Sequence, residues 1–566
     1  MGLTEQIPRR ITEGMDSTDA TGRDEPTSAR AAHRTPAEKI ASADPSASVA
    51  PAATAPARPR CTPSPMDVVP DVDSPDTGSG VVETNTPDPQ RWRILAVLLT
   101  GIFMALIAVS IVNVALPAIQ VGLDARDADM QWVLSGFALS FGVVLVAAGR
   151  AGDLVGRGGL YLLGMAIYTT AAIAAGFASS IEMLNLARFV MGLGAGLFNP
   201  QVVGMIQQYF TGRERGIAFG YFGSVIGVAV AIGPPIGGFL IAAGGPELGW
   251  RLTMLVNVPF GLLAIILGFA LFPRPLIKRL RDSEGKPIGF RRTLRALDPV
   301  GALLLGITVL AIMLPFMESG KGAWVWLLLP TAAVLLALWV AWERRCSAGG
   351  TEPMVDLDIF KIRSFRNGII IATMWFFGTT SIWVLLAQYF QNAMGHSALV
   401  SGLIGLPAAI LSSFAANWAG HHVEEYGRTI TIAGIIITTV GIVLTIGVIM
   451  LNDAFGVSEF WLIATLSLAG AAGGFVISPN QTVSLWDVPP AYAGTAGAML
   501  QTGQRIGTSV GLAVILAVAF SVKDMLRWEM GIAAGYTAVA LTFLLTLVVA
   551  IADSRASAVA KRTAGK

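Results

Sequence analysis

Taken as hydrophobic and polar positions alone, the chain changes character near residue 90. Upstream, Ala, Pro, Ser, Thr and Asp dominate and no apolar period or continuous apolar run is found. Such a segment cannot bury enough apolar surface to offset the entropy of ordering, which predicts a disordered tail over 1–89 and no signal peptide. Downstream, long apolar runs alternate with short polar connections. Fourteen runs approach the ~20 residues that an α-helix needs to cross a bilayer. They lie at 93–115, 131–149, 159–179, 183–206, 216–242, 253–272, 299–317, 324–342, 367–390, 400–419, 429–451, 459–482, 493–521 and 531–552. The pattern predicts an all-α membrane protein.

Charge orients these runs. Counted from a cytoplasmic N-terminus, the inside connections hold Arg150 and Arg157, Arg213 and Arg215, a basic cluster from Lys278 to Arg295, Arg344 to Arg366, Arg428, and the closing Lys561-Arg562. The opposite connections are poor in bases, so the positive-inside bias places both termini in the cytoplasm. Composition agrees: 54% of the 566 residues are hydrophobic and 13% charged, against about 25% charged in soluble domains. The formal net charge of +2 is dispersed over loops and offers no surface for nucleic acid. Cys61 and Cys346 both fall on the cytoplasmic side, so no disulfide is expected. The pair His421-His422 reads as solvated loop residues rather than metal ligands, and no metal site is expected.

One connection stands out. Gly149-Arg-Ala-Gly-Asp153-Leu-Val-Gly156-Arg157 reads as a short, charged, glycine-rich loop between two apolar runs. Its spacing of Gly, acid and Gly-Arg returns at Gly420-His-His-Val-Glu424-Glu-Tyr-Gly427-Arg428. A repeat in a repeated setting indicates two related halves in parallel orientation. The acids are suited to a helix N-terminus and the arginines to pairing across the bundle. The fifth run carries Gly216, Gly220, Gly223, Gly227, Gly233, Gly237 and Gly238 with Pro234-Pro235. Small residues four apart allow close helix approach, and the prolines predict a kink. Gly233 and Gly237 share a face, which is expected at the interface of the two bundles.

Enzymatic signatures are missing. No Gly-rich loop leads into Lys-Ser/Thr, so ATP is not the fuel, and Gly507-Thr-Ser509-Val-Gly511 lies inside an apolar run rather than at a strand–helix turn. No catalytic residue and no cofactor are expected. The ionisable residues read inside the runs are Arg188 and Arg505, which the cost of burying charge in a bilayer marks as candidates for binding or coupling. Asn113, Gln501 and Gln504 join them as polar neighbours, with Asn199, Gln201, Gln388 and Asn480 as further ones. No carboxylate is read in a helix interior; Glu182, Asp298 and Glu318 stand at the rims.

Together these motifs resemble the major facilitator superfamily, and more closely its fourteen-helix drug:proton antiporter branch typified by EmrB and QacA. The resemblance covers about Arg91–Ala552. It rests on Gly149, Gly152, Asp153, Gly156 and Arg157; on Arg188, Gly192 and Gly196; on Gly227, Gly233, Pro234, Gly237 and Gly238; on Asn113 to Pro117; on Trp250-Arg251 with Asn257-Val-Pro259; and on Gln504-Arg505 with Gly507. It implies two six-helix bundles (90–272 and 366–552) with two additional helices inside 273–365, and cytoplasmic tails over 1–89 and 553–566. It also implies export of small lipophilic compounds by alternating access, with protons as coupling ion, by a monomer in the cell membrane. An exporter of an endogenous metabolite or lipid, and a non-transporting receptor or scaffold, are the alternatives. Ala108 stands where the family usually has Asp, Met191 where Gln is usual, Phe137 where Tyr is common and Gly158 where a base is usual. The first departure implies a preference for neutral or anionic compounds, and coupling through a rim acid or through the charge of the substrate itself.

Overall fold

The computed structural model describes residues 89–564 apart from 279–288, 290–292, 294, 319–321, 350–352 and 397. The predicted tail over 1–89 therefore lies almost wholly outside the described residues. Among the described residues, fourteen helical spans are long and apolar enough to cross a membrane. They are α1 (Arg91–Gly122), α2 (Asp129–Val155), α3 (Arg157–Gly176), α4 (Ile181–Tyr209), α5 (Gly212–Gly245), α6 (Glu247–Leu271) and α7 (Pro299–Met317). The others are α8 (Ala323–Ala348), α9 (Arg363–Ala393), α10 (Gly402–Tyr426), α11 (Arg428–Phe455), α12 (Trp461–Ser484), α13 (Pro490–Met525) and α14 (Trp528–Ala556). Among the described residues there is no strand. That is the expected solution in hydrocarbon, where each helix satisfies its own backbone donors and acceptors. An even number of spans returns the chain to the side where α1 began; we call this the terminal side.

Helix extends well past the apolar runs. The segment read as a loop at Gly149–Arg157 is helix up to Val155 and again from Arg157, and Gly156 alone joins α2 to α3. Its φ of 119° is a conformation that only glycine adopts cheaply. The second copy repeats the device, with Gly427 (φ 52°) as the single residue between α10 and α11. His421 and His422 are likewise in α10 and not in a loop; their Nδ1 atoms lie 2.9 and 2.8 Å from the carbonyls of Asn417 and Trp418. In the fifth run the helix continues through Pro234-Pro235, and the backbone breaks at Gly245 (φ 70°), ahead of α6.

Spans α1–α6 surround one core, with Met104, Met165, Met191 and Phe198 fully buried at its centre. Spans α9–α14 surround a second, around Ile371, Ile435, Leu466 and Phe543. The halves meet where α5 lies against α10 and α12, and where α13 lies against α2 and α4. The additional pair α7–α8 pack on each other, and α7 also touches α2 of one half and α13 of the other.

Candidate transport machinery

The first motif reaches across the two halves. Asp153 is in the last turn of α2, its side chain 1% exposed. Oδ1 accepts from the Gly494 N–H at 2.9 Å, and Oδ2 from the Thr495 N–H at 2.8 Å and the Thr495 hydroxyl at 2.9 Å. These donors belong to the first turn of α13, where backbone N–H groups have no helical acceptor and the helix dipole favours an anion. Arg157 completes the arrangement. Its Nη2 donates to Asp153 Oδ1 at 2.8 Å and to the Pro490 carbonyl at 2.7 Å, and its Nη1 to the Gly204 carbonyl at 3.0 Å. Close approach here requires Gly149, since a methyl at that position would lie 2.7 Å from the Gly494 carbonyl oxygen. Gln201, fully buried in α4, fills the notch left by Gly152 and donates to the Ala148 carbonyl at 2.8 Å.

The second motif closes on its own half. Arg428, 5% exposed, donates from Nε to Asp553 Oδ2 at 2.7 Å, from Nη2 to the Ser364 carbonyl at 2.9 Å, and from Nη1 to Asn480 Oδ1. Asp553 also accepts from Asn367 Nδ2 at 2.7 Å. The cluster thus ties α9, α11, α12 and α14 together. Glu424 does not share in it: its side chain is exposed, beside Gly212 at the start of α5.

The glycine-rich face of α5 divides its work. Gly216, Gly220, Gly223 and Gly227 press against α10, where a methyl on Gly420 would sit 2.5 Å from the Gly216 carbonyl oxygen. Ser224 and Ser413 seal the same contact by each donating to the other's carbonyl, at 2.7 and 3.1 Å. Gly233 and Gly237, expected at the interface of the bundles, instead face Ser110 and Ile111 of α1 within their own half. Seven glycines on one helix serve two neighbours, which spacing alone does not separate. Pro234 lies towards Gly402 of α10, and nothing lies within 4 Å of the space beside Gly238.

Arg188 is 1% exposed between α4 and α2, with Nε donating to the Val133 carbonyl at 3.0 Å and its guanidinium 4.6 Å from the Phe137 ring centroid. Its Nη1 is buried with no hydrogen-bond partner. Arg505 is half-buried, 4.4 Å over the Phe141 ring, so α13 of the second half touches α2 of the first through it. Gln501 is buried and Gln504 half-buried on the same helix. Asn113 is exposed on α1, one turn before the exposed Pro117. Ala108 is 1% exposed, in the core and not on an open face.

The reading of acids needs correction. Glu343 is fully buried within α8, Asp298 is 6% exposed at the start of α7, and Asp553 is 1% exposed within α14. Glu318, expected at a rim, is 3% exposed at the end of α7, while Glu182 is exposed. Arg188 and Arg505 are therefore not the only charges in the interior; Arg150 and Arg428 are buried as well. Glu343 and Asp553 each fall one residue past an apolar run ending at 342 or 552. Hydropathy stops at the first charge, whereas the helix continues and its inner face stays packed.

The comparisons with known proteins fit this geometry. The family model of the Major Facilitator Superfamily matches residues 98–512. The chain belongs to the Major Facilitator Superfamily. Among its relatives, a probable actinorhodin transporter of Streptomyces coelicolor is 31% identical over 470 residues, covering 81% of this chain and 78% of that protein. The multidrug resistance protein Stp of Mycobacterium tuberculosis is 30% identical over 436 residues, 76% of each chain. The solved structure of the proton:xylose symporter XylE superposes with a TM-score of 0.57 at 12% identity, covering 81% of this chain and 94% of that one. This last likeness shows the fold. The protein is thus a major facilitator transporter with two six-helix bundles and two additional helices, and not an enzyme.

Sequence reasoning had missed Thr495 and Gly494 as the receiver of Asp153. The signal was present: Pro489-Pro490 followed by Ala-Tyr-Ala-Gly-Thr marks a helix start with small residues.

Proposed function

We propose that this transporter exports small lipophilic compounds, of the drug or antibiotic type, by alternating access driven by the proton gradient. It would do so as a monomer in the cell membrane with both termini, and hence the terminal side, in the cytoplasm. The observation that carries the mechanism is the Asp153 carboxylate of one half seated on the α13 N-terminus of the other. That contact exists only while the terminal side is closed, and it must break for the halves to rock apart there. Asp153 and Arg157 act as a conformational latch and not as ligands, because they sit at the helix ends. Export of small toxic compounds is supported by relatives named as a probable actinorhodin transporter and a multidrug resistance protein, matched over three quarters of the chain or more.

Transport in everted vesicles, with and without an imposed pH gradient, tests the reading. Gradient-dependent accumulation of a lipophilic dye is expected, and accumulation indifferent to the gradient would remove the proton from the mechanism. Reporter fusions after Gly158, Arg366 and Lys566 should all read cytoplasm; a periplasmic signal at Lys566 would overturn the orientation.

A further inference from the structure

The additional helices carry a buried pair of carboxylates that the latch does not use. Asp298 caps α7: Oδ1 accepts from the Gly301 N–H at 3.0 Å, and the Trp342 indole N–H donates to both oxygens at 3.0 and 3.1 Å. The residue holds a left-handed backbone (φ 45°), a costly conformation outside glycine that clusters at functional positions. Glu343 faces it from α8. Its Oε2 accepts weakly from the Val355 N–H at 3.5 Å, while Oε1 is buried with no hydrogen-bond partner. Gly301 leaves the space between the two acids: a methyl there would collide with Asp298 Oδ2 and lie 2.9 Å from Glu343 Oε1.

Two carboxylates this close, both out of water, do not both ionise. Asp298 receives three donor contacts at the N-terminus of α7, whereas Glu343 receives one weak one. Glu343 Oε1, buried without a hydrogen-bond partner on the same side of Gly301 as Asp298, is where a shared proton is best held. Among the described residues the other charges near the pair have surroundings of their own, and Arg295, just before Asp298, is exposed. Arg344 and Arg345, next on α8, are exposed. Arg150 of α2 has an interaction of its own, and Asp153 is turned to α13. Arg505 of α13 lies over Phe141. Asp356 caps the segment after Val355, and Asp358 pairs with Lys361. The pair is also mechanically joined to the latch. Ala296 and Leu297, just before Asp298, pack on Leu154 and Val155, just after Asp153.

We propose that Glu343 and Asp298 form a proton-binding site, with the proton on Glu343, and that its occupancy steadies the latch between Asp153 and α13. Loss of the proton leaves two facing anions, and their repulsion, carried through Ala296 and Leu297 to Leu154 and Val155, loosens the end of α2. In transport this rests on the reading of the chain as a proton-driven exporter, but the site is measurable without any substrate.

The test uses the full chain in lipid nanodiscs. Infrared titration follows the carbonyl stretch of protonated carboxyl groups, and amide hydrogen exchange follows Gly494 and Thr495. The wild type is expected to show a protonated-carboxyl band at neutral pH that disappears as pH rises. Glu343→Gln should lose that band, and Asp298→Asn should shift its titration to lower pH because the anionic neighbour is gone. Protection of the two amides should fall as the wild type titrates and stay level in Glu343→Gln. No band in the wild type, or a band untouched by Glu343→Gln, overturns the site. A band with amide protection that ignores it overturns the link to the latch. Failed export with an intact band would instead refute the transport reading and leave the site standing.

Discussion

The two copies of the Gly–acid–Gly-Arg motif share a spacing, a one-residue glycine joint and a place in their halves, yet they do different work. In the first, Asp153 crosses to the opposite half and Arg157 backs it. In the second, Glu424 stays exposed beside the start of α5, and Arg428 turns inward to Asp553. The short aspartate is buried against free N–H groups; the longer glutamate stays in water, where a carboxylate near a helix end contributes only tenths of a kcal/mol. The comparison teaches that a repeated motif marks a repeated joint, while the partners of its charged residues decide whether that joint bridges the halves or ties one bundle together.

The largest effect should come from the tie. Arg428→Ala leaves Asp553 buried without its counter-ion, which typically costs about 3–5 kcal/mol. Thermal unfolding of purified protein should show the loss, and removing both charges with Arg428→Met and Asp553→Leu should be milder. If Arg428→Ala unfolds like the wild type but stops transport, the second motif is a latch after all.

Next comes the latch itself. Asp153→Asn weakens three charge-assisted hydrogen bonds and should lower turnover by about 10–100-fold, or roughly 1.5–3 kcal/mol, while substrate affinity hardly changes. Dye efflux against equilibrium binding separates the two quantities. A large affinity loss at normal turnover would mean that Asp153 belongs to the binding site.

A third effect separates the glycines of α5. Gly216→Leu should hold the halves apart on the terminal side, abolish export and raise labelling of cysteines placed along α10. Gly237→Leu should also impair export, by displacing α1, but should leave α10 labelling unchanged. Equal labelling in both would erase the division between the inter-half and intra-half faces. The smallest effect is expected at Glu424→Gln, less than about twofold in turnover, since exposed charges contribute little. A loss equal to that of Asp153→Asn would make the two motifs equivalent.

Much of this architecture was legible from the chain. Fourteen runs, the alternation of bases and the paired motifs lead to the fold, because bilayer thickness and backbone satisfaction leave few alternatives. The partners were not legible. The acid at 153 is evident, but its receiver at 494–495 is more than three hundred residues away. Gly233 and Gly216 look alike until α1 and α10 are placed on either side. Glu343 and Asp553 fall just outside the apolar runs because hydropathy records composition and not which face of a helix is packed.

The seam between α5 and α10 has a consequence of its own. Gly216 and Gly420 meet backbone to backbone, with almost no side chain between them. Surfaces that interlock through long side chains must change rotamers to move, and each such change adds a step to the path. Apart from the short Ser224 and Ser413 hydroxyls, the glycine stretch of this seam has few rotamers to reset and loses little side-chain entropy on contact. Under the proposed alternating access such a seam would serve as a smooth bearing, on which the halves roll through small displacements of similar energy, with the resistance set by the few polar contacts across it, Ser224 with Ser413 and Asp153 with α13.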